Sequence, residues 1–204
     1  MWPKQAIVYE RLFASYAQQV RLADSTSCIR ALQVGVGDGV VSAILRSRAI
    51  ELVTLDHDPL KKPTIVADIL RVDASDQSFP LVLCCGVLNN IDPSHVRSAL
   101  YKLYNFSSEY VIVSVPATYF STRIEFSSKL LELFFSQRVF RFDMRAPFML
   151  THHNFSKNGE WKLGHRGSSK KWFTNLIEEA GFLIEESLFV QASEYEFVVL
   201  LKKA

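Results

Sequence analysis

The residues best able to do chemistry stand where apolar runs end. The run 29–34 leads into Gly35-Val36-Gly37-Asp38-Gly39, and a second apolar segment opens at Val40. Glycines at alternate positions let the backbone turn sharply off a strand and approach a ligand with no Cβ in the way. A helix starting there also offers unpaired N–H groups. The run 51–55 stops at Asp56-His57, and 64–67 stops at Asp68-Ile69. A carboxylate at the end of the second strand is placed to accept hydrogen bonds from both hydroxyls of a ribose. One at the end of the third can meet an exocyclic adenine amino group. Either aspartate alone reads equally well as a solvated loop carboxylate; the ordered set is what points to a nucleoside. A dinucleotide cradle needs GxGxxG, and here the third glycine falls one position early, with Val40 where the cradle wants glycine. A nucleoside without a diphosphate is the better match.

Further along, the apolar run 79–85 ends in Cys84-Cys85-Gly86, and Asn89-Asn90 follows. His153 is the candidate general base, and Trp161 either walls a pocket or anchors its loop. His152, His153 and His165 do not make a metal site, because adjacent histidines diverge and no cysteine or carboxylate completes a ligand spacing. Phe140, Phe142, Phe148 and Phe155 interleave with Arg138, Arg141 and Arg145. Such a pattern suits an anionic or nucleic-acid surface, or a lid packed on the core with its arginines reaching outward.

The elements that must position these residues follow from hydrophobic period and punctuation. Val8, Leu12, Phe13, Tyr16, Ala17 and Val20 recur at helical spacing over 4–22. Strands are predicted at 29–34, 51–55, 64–67, 79–85 and 110–115, with helices from Val40 to near Arg48 and after the Asp92-Pro93 cap. The segment 124–135 is expected to be helical. Ser168 or Ser169 caps a helix that buries Trp172, Phe173, Leu176, Ile177 and Ala180 and stops at Gly181. The strands 182–190 and 196–201 have no helix between them and should pair antiparallel. The alternation predicts an α/β fold with a mostly parallel, doubly wound sheet and a C-terminal antiparallel hairpin. One domain over 1–204 is expected, with an N-terminal helix in 1–28 and a lid or substrate insertion in 117–166.

Composition narrows the classes. The chain has 204 residues, is 49% hydrophobic and carries a net charge of +2. That is an ordinary globular balance, without the concentrated basic character of a dedicated nucleic-acid binder. Cys28, Cys84 and Cys85 form no CxxC pair and fit a reduced, cytoplasmic protein with buried thiols. No stretch approaches the roughly 20 apolar residues of a membrane span.

At this level of detail the chain resembles the class I methyltransferases. ALQVGVGDG resembles their first motif, LVTLDHDP their second strand with its ribose-binding aspartate, and VADIL the segment whose aspartate faces adenine. SFPLVLCCGVLNNI is similar to their fourth strand, and WFTNLIEEAGFLIEE with EFVVLLKK to the elements that close the domain. TLDHDPLKKPTIVADIL and NGEWKLGHRGSSKKW look closest to a bacterial and archaeal subgroup of methyltransferase-like proteins. The resemblance implies a Rossmann-like, seven-stranded sheet, S-adenosylmethionine as cofactor and methyl transfer by direct displacement. The cofactor set it implies is Gln33, Gly35, Val36, Gly37, Asp38, Gly39, Asp56, His57, Asp68, Ile69, Cys85 and Gly86. Gln33 stands where the family usually carries an acid, Phe79-Pro80 where Phe-Asp is common, and Asn89-Asn90 where Glu-His is frequent, which makes Asn89 an acceptor-side candidate by resemblance. The expected acceptor is a small molecule, with nucleic acid or protein still open. The alternatives are a binding protein that keeps the fold without turnover and, less favoured, an NAD-dependent oxidoreductase.

Overall fold

The computed structural model describes residues 4–73, 78–127, 139–147, 160–165, 167–191 and 195–204. Its strands are β1 (Arg30–Val34), β2 (Glu51–Asp56), β3 (Ile65–Val66), β4 (Phe79–Cys85), β5 (Ser107–Ala117), β6 (Tyr119–Ser127), β7 (Val139–Pro147), β8 (Phe182–Gln191) and β9 (Tyr195–Lys203). Seven of them form the main sheet, in the order β3-β2-β1-β4-β5-β9-β8. The first five are parallel, and β9 runs antiparallel to both β5 and β8. The sheet is therefore the mostly parallel one with a terminal hairpin that the sequence predicts.

The central strands are apolar on both faces because both faces are covered. Leu81, Val82, Leu83 and Cys84 of β4 are each 1% exposed or less. Full burial of one such Leu or Val contributes about 1.5–3 kcal/mol. On one face Ala31, Leu81, Leu83, Ile112, Val198 and Leu200 pack with Leu22 and Ala23 of α1 (Lys4–Ser25) and Val41 and Leu45 of α2 (Val40–Ser47). On the other, Leu32, Val34, Val82, Val111 and Val113 pack with α3 (Val96–Phe106) and α4 (Lys170–Glu179) through Leu100, Leu103, Phe173 and Ile177. Ser169 caps α4 by accepting from the Trp172 N–H, and Gly181 follows it with φ +94°.

One expectation fails. Residues 124–127, predicted as the start of a helix, belong to β6, which pairs antiparallel with β7 in a second, two-stranded sheet. The reason is visible in the chain: Phe120, Thr122, Ile124 and Phe126 alternate with Ser121, Arg123, Glu125 and Ser127. A period of two belongs to a strand. The remainder of the expected helix, 128–135, lies outside the described residues. No helix among the described residues is long and apolar enough to cross a membrane.

Candidate functional site

From β1 the chain moves outward to β2 and β3, then returns to β4 on the opposite side of β1. The carboxyl ends of β1 and β4 therefore flank the point where strand order reverses, the place at which open parallel sheets bind ligands. A cleft of about 540 Å³ opens there, lined by Gly35 and Gly37 after β1, Asp56 and His57 after β2, Asp68 and Ile69 after β3, and Cys85 and Gly86 after β4. Residues far apart in the chain thus meet because consecutive strand ends share one edge of the sheet.

The glycine turn is fixed from below. Gly35 has φ +82°, and a Cβ there would overlap Cγ2 of Val87. Its N–H donates to the Leu55 carbonyl at 2.8 Å. The next N–H, of Val36, donates to Oδ2 of Asp56 at 2.8 Å, while Oδ1 of Asp56 accepts from the Asp58 N–H at 2.9 Å. Asp56 is only 9% exposed, and Nδ1 of the exposed His57 lies 3.4 Å from its Oδ1. A carboxylate offers about four acceptor positions, so two backbone donors leave Asp56 capacity for two more. Asp68 has a looser setting: it accepts from the Leu70 N–H at 2.9 Å, and Arg71 lies 3.8 Å away. Gln33, also buried, donates from Nε2 to the Gly35 carbonyl at 3.1 Å and accepts from the Ser42 hydroxyl at 2.7 Å. It ties β1 to both the turn and α2.

A second cavity of about 70 Å³ adjoins the first beneath α1, and the two share Gly35, Gly37 and Cys85. Gln33, Val36, Asp38, Tyr16 and Gln19 complete much of its wall. The Tyr16 hydroxyl donates to Oδ2 of Asp38 at 2.6 Å, and Oδ1 of Asp38 accepts from the Val40 N–H. Burial, together with the Asp38 carboxylate, holds the Tyr16 phenol well above the ordinary tyrosine range, so it stays protonated. Burial likewise raises the Cys85 thiol, helped by the charge of Glu196, and pushes Cys84 up to about 12. Neither thiol is a nucleophile at neutral pH. Gly39 lines neither cavity; with φ +82° it caps α2, and its carbonyl accepts from Ala43.

No protein-family model and no curated protein matches this sequence. Solved structures do. An S-adenosylmethionine-dependent methyltransferase from Clostridium acetobutylicum is 12% identical, with 98% of each chain covered and a TM-score of 0.61. The N-methyltransferase NodS from Bradyrhizobium japonicum, in complex with S-adenosyl-L-homocysteine, is 13% identical over 93% of this chain and 85% of its own, with a TM-score of 0.61. A magnesium protoporphyrin IX methyltransferase from Synechocystis with bound S-adenosylmethionine is 12% identical over 97% and 81%, with a TM-score of 0.56. The fold is that of the S-adenosylmethionine-dependent methyltransferases.

Within this methyltransferase fold, the far wall of the cleft comes from residues that the sequence reading did not single out for a ligand. Asn90, Ile91, Asp92 and His95 line it. Asp92 accepts from both the N–H and the hydroxyl of Ser94, at 2.9 and 2.5 Å, and these donors hold its carboxyl below the usual aspartate value. The resulting turn, Pro93–His95, carries His95 to the cleft. The signal was present: Asp92-Pro93 read as a cap, and the histidine three residues after the cap is what the turn presents.

The acceptor-side candidates are placed apart. Asn89 is 6% exposed and does not line the cleft; its Oδ1 has no hydrogen-bond partner among the described residues. Trp161 is buried, and its indole N–H is shared between the Leu88 and Ile91 carbonyls, each at 3.0 Å. Its backbone N–H donates to the Asn89 carbonyl, and its ring packs against Trp172 and Phe173. Trp161 therefore clamps the turn after β4. His153 lies outside the described residues, as do Arg138, Phe148, His152 and Phe155.

Proposed function

We propose that the chain is a methyltransferase that binds S-adenosylmethionine across the cleft and the small cavity and methylates a small-molecule acceptor. One observation carries this reading. The carboxylate of Asp56, buried at the end of β2 and oriented by two backbone donors, faces a cleft sized for a nucleoside and still has acceptor capacity. The solved structures that share the fold support the cofactor, since two of them hold S-adenosylmethionine or S-adenosyl-L-homocysteine. A small acceptor suits the cleft's charge. Among the described residues Asp56, Asp58, Asp68 and Asp92 line it against a single lysine, Lys61, which disfavours a phosphate backbone.

When bound, the cofactor supplies a methyl group on a positively charged sulfur, already a good leaving group. The protein's work is then alignment. Asp56 would hold the ribose hydroxyls and Asp68 the adenine amino group, with Ile69 and His57 lining the cleft beside them. Gly35 and Gly37 let the backbone approach closely, while Cys85 and Gly86 border the point where the two cavities join. A base is required only if the acceptor must lose a proton before reacting, and His95 and His153 are the histidines to test for that step. The insertion 117–166, containing β6 and β7, is assigned to acceptor specificity.

Isothermal titration with S-adenosylhomocysteine tests the reading, with NADH in parallel. Wild type should bind the thioether with micromolar strength and ignore NADH. Asp56→Ala should weaken binding by about 100-fold, as expected for two charge-assisted hydrogen bonds at about 1.5 kcal/mol each. Absence of S-adenosylhomocysteine binding by wild type would overturn the proposal. Binding without methylation of a broad acceptor panel would instead support a fold retained for binding alone.

A further inference from the structure

No described residue of the sequence WKLGHRGSS, positions 161–169, lines the cleft, yet its local structure is closely specified. Gly164 and Gly167 have φ +95° and +92°, and a Cβ on Gly164 would overlap the Thr118 carbonyl oxygen. Both conformations favour glycine. Ser168 is fully buried: its hydroxyl donates to the Lys162 carbonyl at 2.7 Å and its N–H to the His165 carbonyl at 3.1 Å. Its own carbonyl accepts from the Gly164 N–H at 3.0 Å. Ser169, next in the chain, caps α4. A loop built this tightly, away from the ligand, holds something in place.

It joins three elements. Leu163 donates to the Pro116 carbonyl at 2.9 Å and accepts from the Thr118 N–H at 2.7 Å, which zips the end of the insertion 117–166 alongside its start. Two residues earlier, the Trp161 ring lies edge-on to Trp172 of α4 with centroids 5.3 Å apart, and 5.9 Å from Phe173. From that seat the indole N–H reaches the Leu88 and Ile91 carbonyls, and the backbone N–H the Asn89 carbonyl. One residue thus holds three carbonyls of the turn after β4. The turn's own hydrogen bonds, from Asn90 to Val87 and from Ile91 to Leu88, shape it but tie it to no other element. That turn leads straight into the far wall of the cleft, Asn90, Ile91, Asp92 and His95.

We propose that Trp161 is a positioning residue for the cleft: held between α4 and the base of the insertion, it sets the turn 88–91 and, through it, the far wall against which the ligand binds. Trp161 acts through the turn and does not line the cleft itself. Any ligand that contacts this wall is thereby coupled, through one indole, to the base of the insertion assigned to the acceptor. The proposal rests on the cofactor reading above for the identity of that ligand.

The test compares wild type with Trp161→Phe and Trp172→Phe. Each variant keeps an aromatic ring in the cluster of Trp161, Trp172 and Phe173, but only the first removes the donor to Leu88 and Ile91. Both should unfold at lower denaturant concentration than wild type. In calorimetric titration, S-adenosylhomocysteine should bind Trp161→Phe about 5-fold more weakly, the share of one buried hydrogen bond, and Trp172→Phe with wild-type affinity. In wild type carrying isotope-labelled tryptophan, the Trp161 indole resonance, assigned by elimination with Trp2→Phe and Trp172→Phe, should shift when S-adenosylhomocysteine is added, and that of Trp172 should not. Equal affinity in wild type and Trp161→Phe overturns the proposal. So does an equal loss in both variants, which would make the cluster a matter of stability alone. If Trp161→Phe does not fold, the wild-type resonances decide: an unmoved Trp161 indole overturns the proposal while the cofactor reading survives. If wild type does not bind S-adenosylhomocysteine, the cofactor reading has failed and this inference falls with it.

Discussion

The cleft and the small cavity share three residues but are built on different plans. The cleft is made from strand ends, and its polar groups are already oriented by local backbone: Asp56 by Val36 and Asp58, Asp68 by Leu70, Asp92 by Ser94. The small cavity is made from side chains that reach it across the fold, from α1, β1, the glycine turn, α2 and β4. Local backbone bonds form whenever the turn forms. A wall assembled from distant elements holds only if helix and sheet are docked. The cleft should therefore be robust to changes in α1, and the cavity should not.

Gly35 is where both plans are most exposed to damage, because it borders both volumes. In Gly35→Ala the new Cβ meets Val87 and the residue must keep φ +82°. The left-handed conformation costs about 1 kcal/mol and the forced overlap about 1–3 kcal/mol. A loss of about 3 kcal/mol in denaturant unfolding is expected, together with loss of ligand binding at both ends. Adding Val87→Ala should return the overlap share and leave the conformational one. A double-mutant cycle measures that coupling; full additivity would show that Val87 is not the obstacle.

The two plans also differ in how far sequence reveals them. In a parallel sheet each strand delivers its last residue to the same edge, so Asp56, Asp68 and Cys85 announce themselves as the polar or small residue that ends an apolar run. Tyr16 and Gln19 carry no such mark, since they sit among ordinary positions of an amphipathic helix. His95 was hidden for another reason: its turn was legible as a cap, but the direction the cap faces depends on where α3 packs. The same division holds for the fold. The sheet is legible in runs that are apolar on both faces, whereas β6, rich in Phe and Ile, resembles a buried helix until its alternation is counted.

Gln33→Glu sharpens the comparison by putting charge back at the base of the turn. The Gly35 carbonyl then loses its donor and faces a carboxylate oxygen, in a residue that is 7% exposed. Losing that bond and burying the charge should cost about 2 kcal/mol at neutral pH. The new carboxyl's folded-state pKa is raised above its unfolded value of about 4.3. Relative to neutral pH, stability is therefore recovered at acid pH, fully below about 4.3, and lost as pH rises through the folded value. Equal destabilisation at pH 4 and pH 8 would show that packing, not charge, sets the choice of glutamine.

The smallest effect is the one that best isolates the docking of α1. Tyr16→Phe removes the hydroxyl that donates to Asp38 and leaves the ring, whose edge packs against Phe13 at 6.2 Å. A hydrogen bond to a carboxylate contributes about 1.5–3 kcal/mol when shielded. Asp38 is exposed, so solvent screening reduces the expected loss to about 1 kcal/mol. The pH dependence identifies the source. Tyr16 has a folded-state pKa raised above the unfolded value of 10.0, so its contribution is complete below that value and declines as pH rises through the folded one. The difference between wild type and Tyr16→Phe should stay constant from pH 6 to about 9 and narrow above about 10. If α1 docks through this bond, the variant also loses affinity for S-adenosylhomocysteine. A variant equally stable and equally tight for S-adenosylhomocysteine would mean that α1 is seated by its other contacts, Leu22 and Ala23 in the core and the Arg21–Glu186 and Asp24–Arg48 ion pairs.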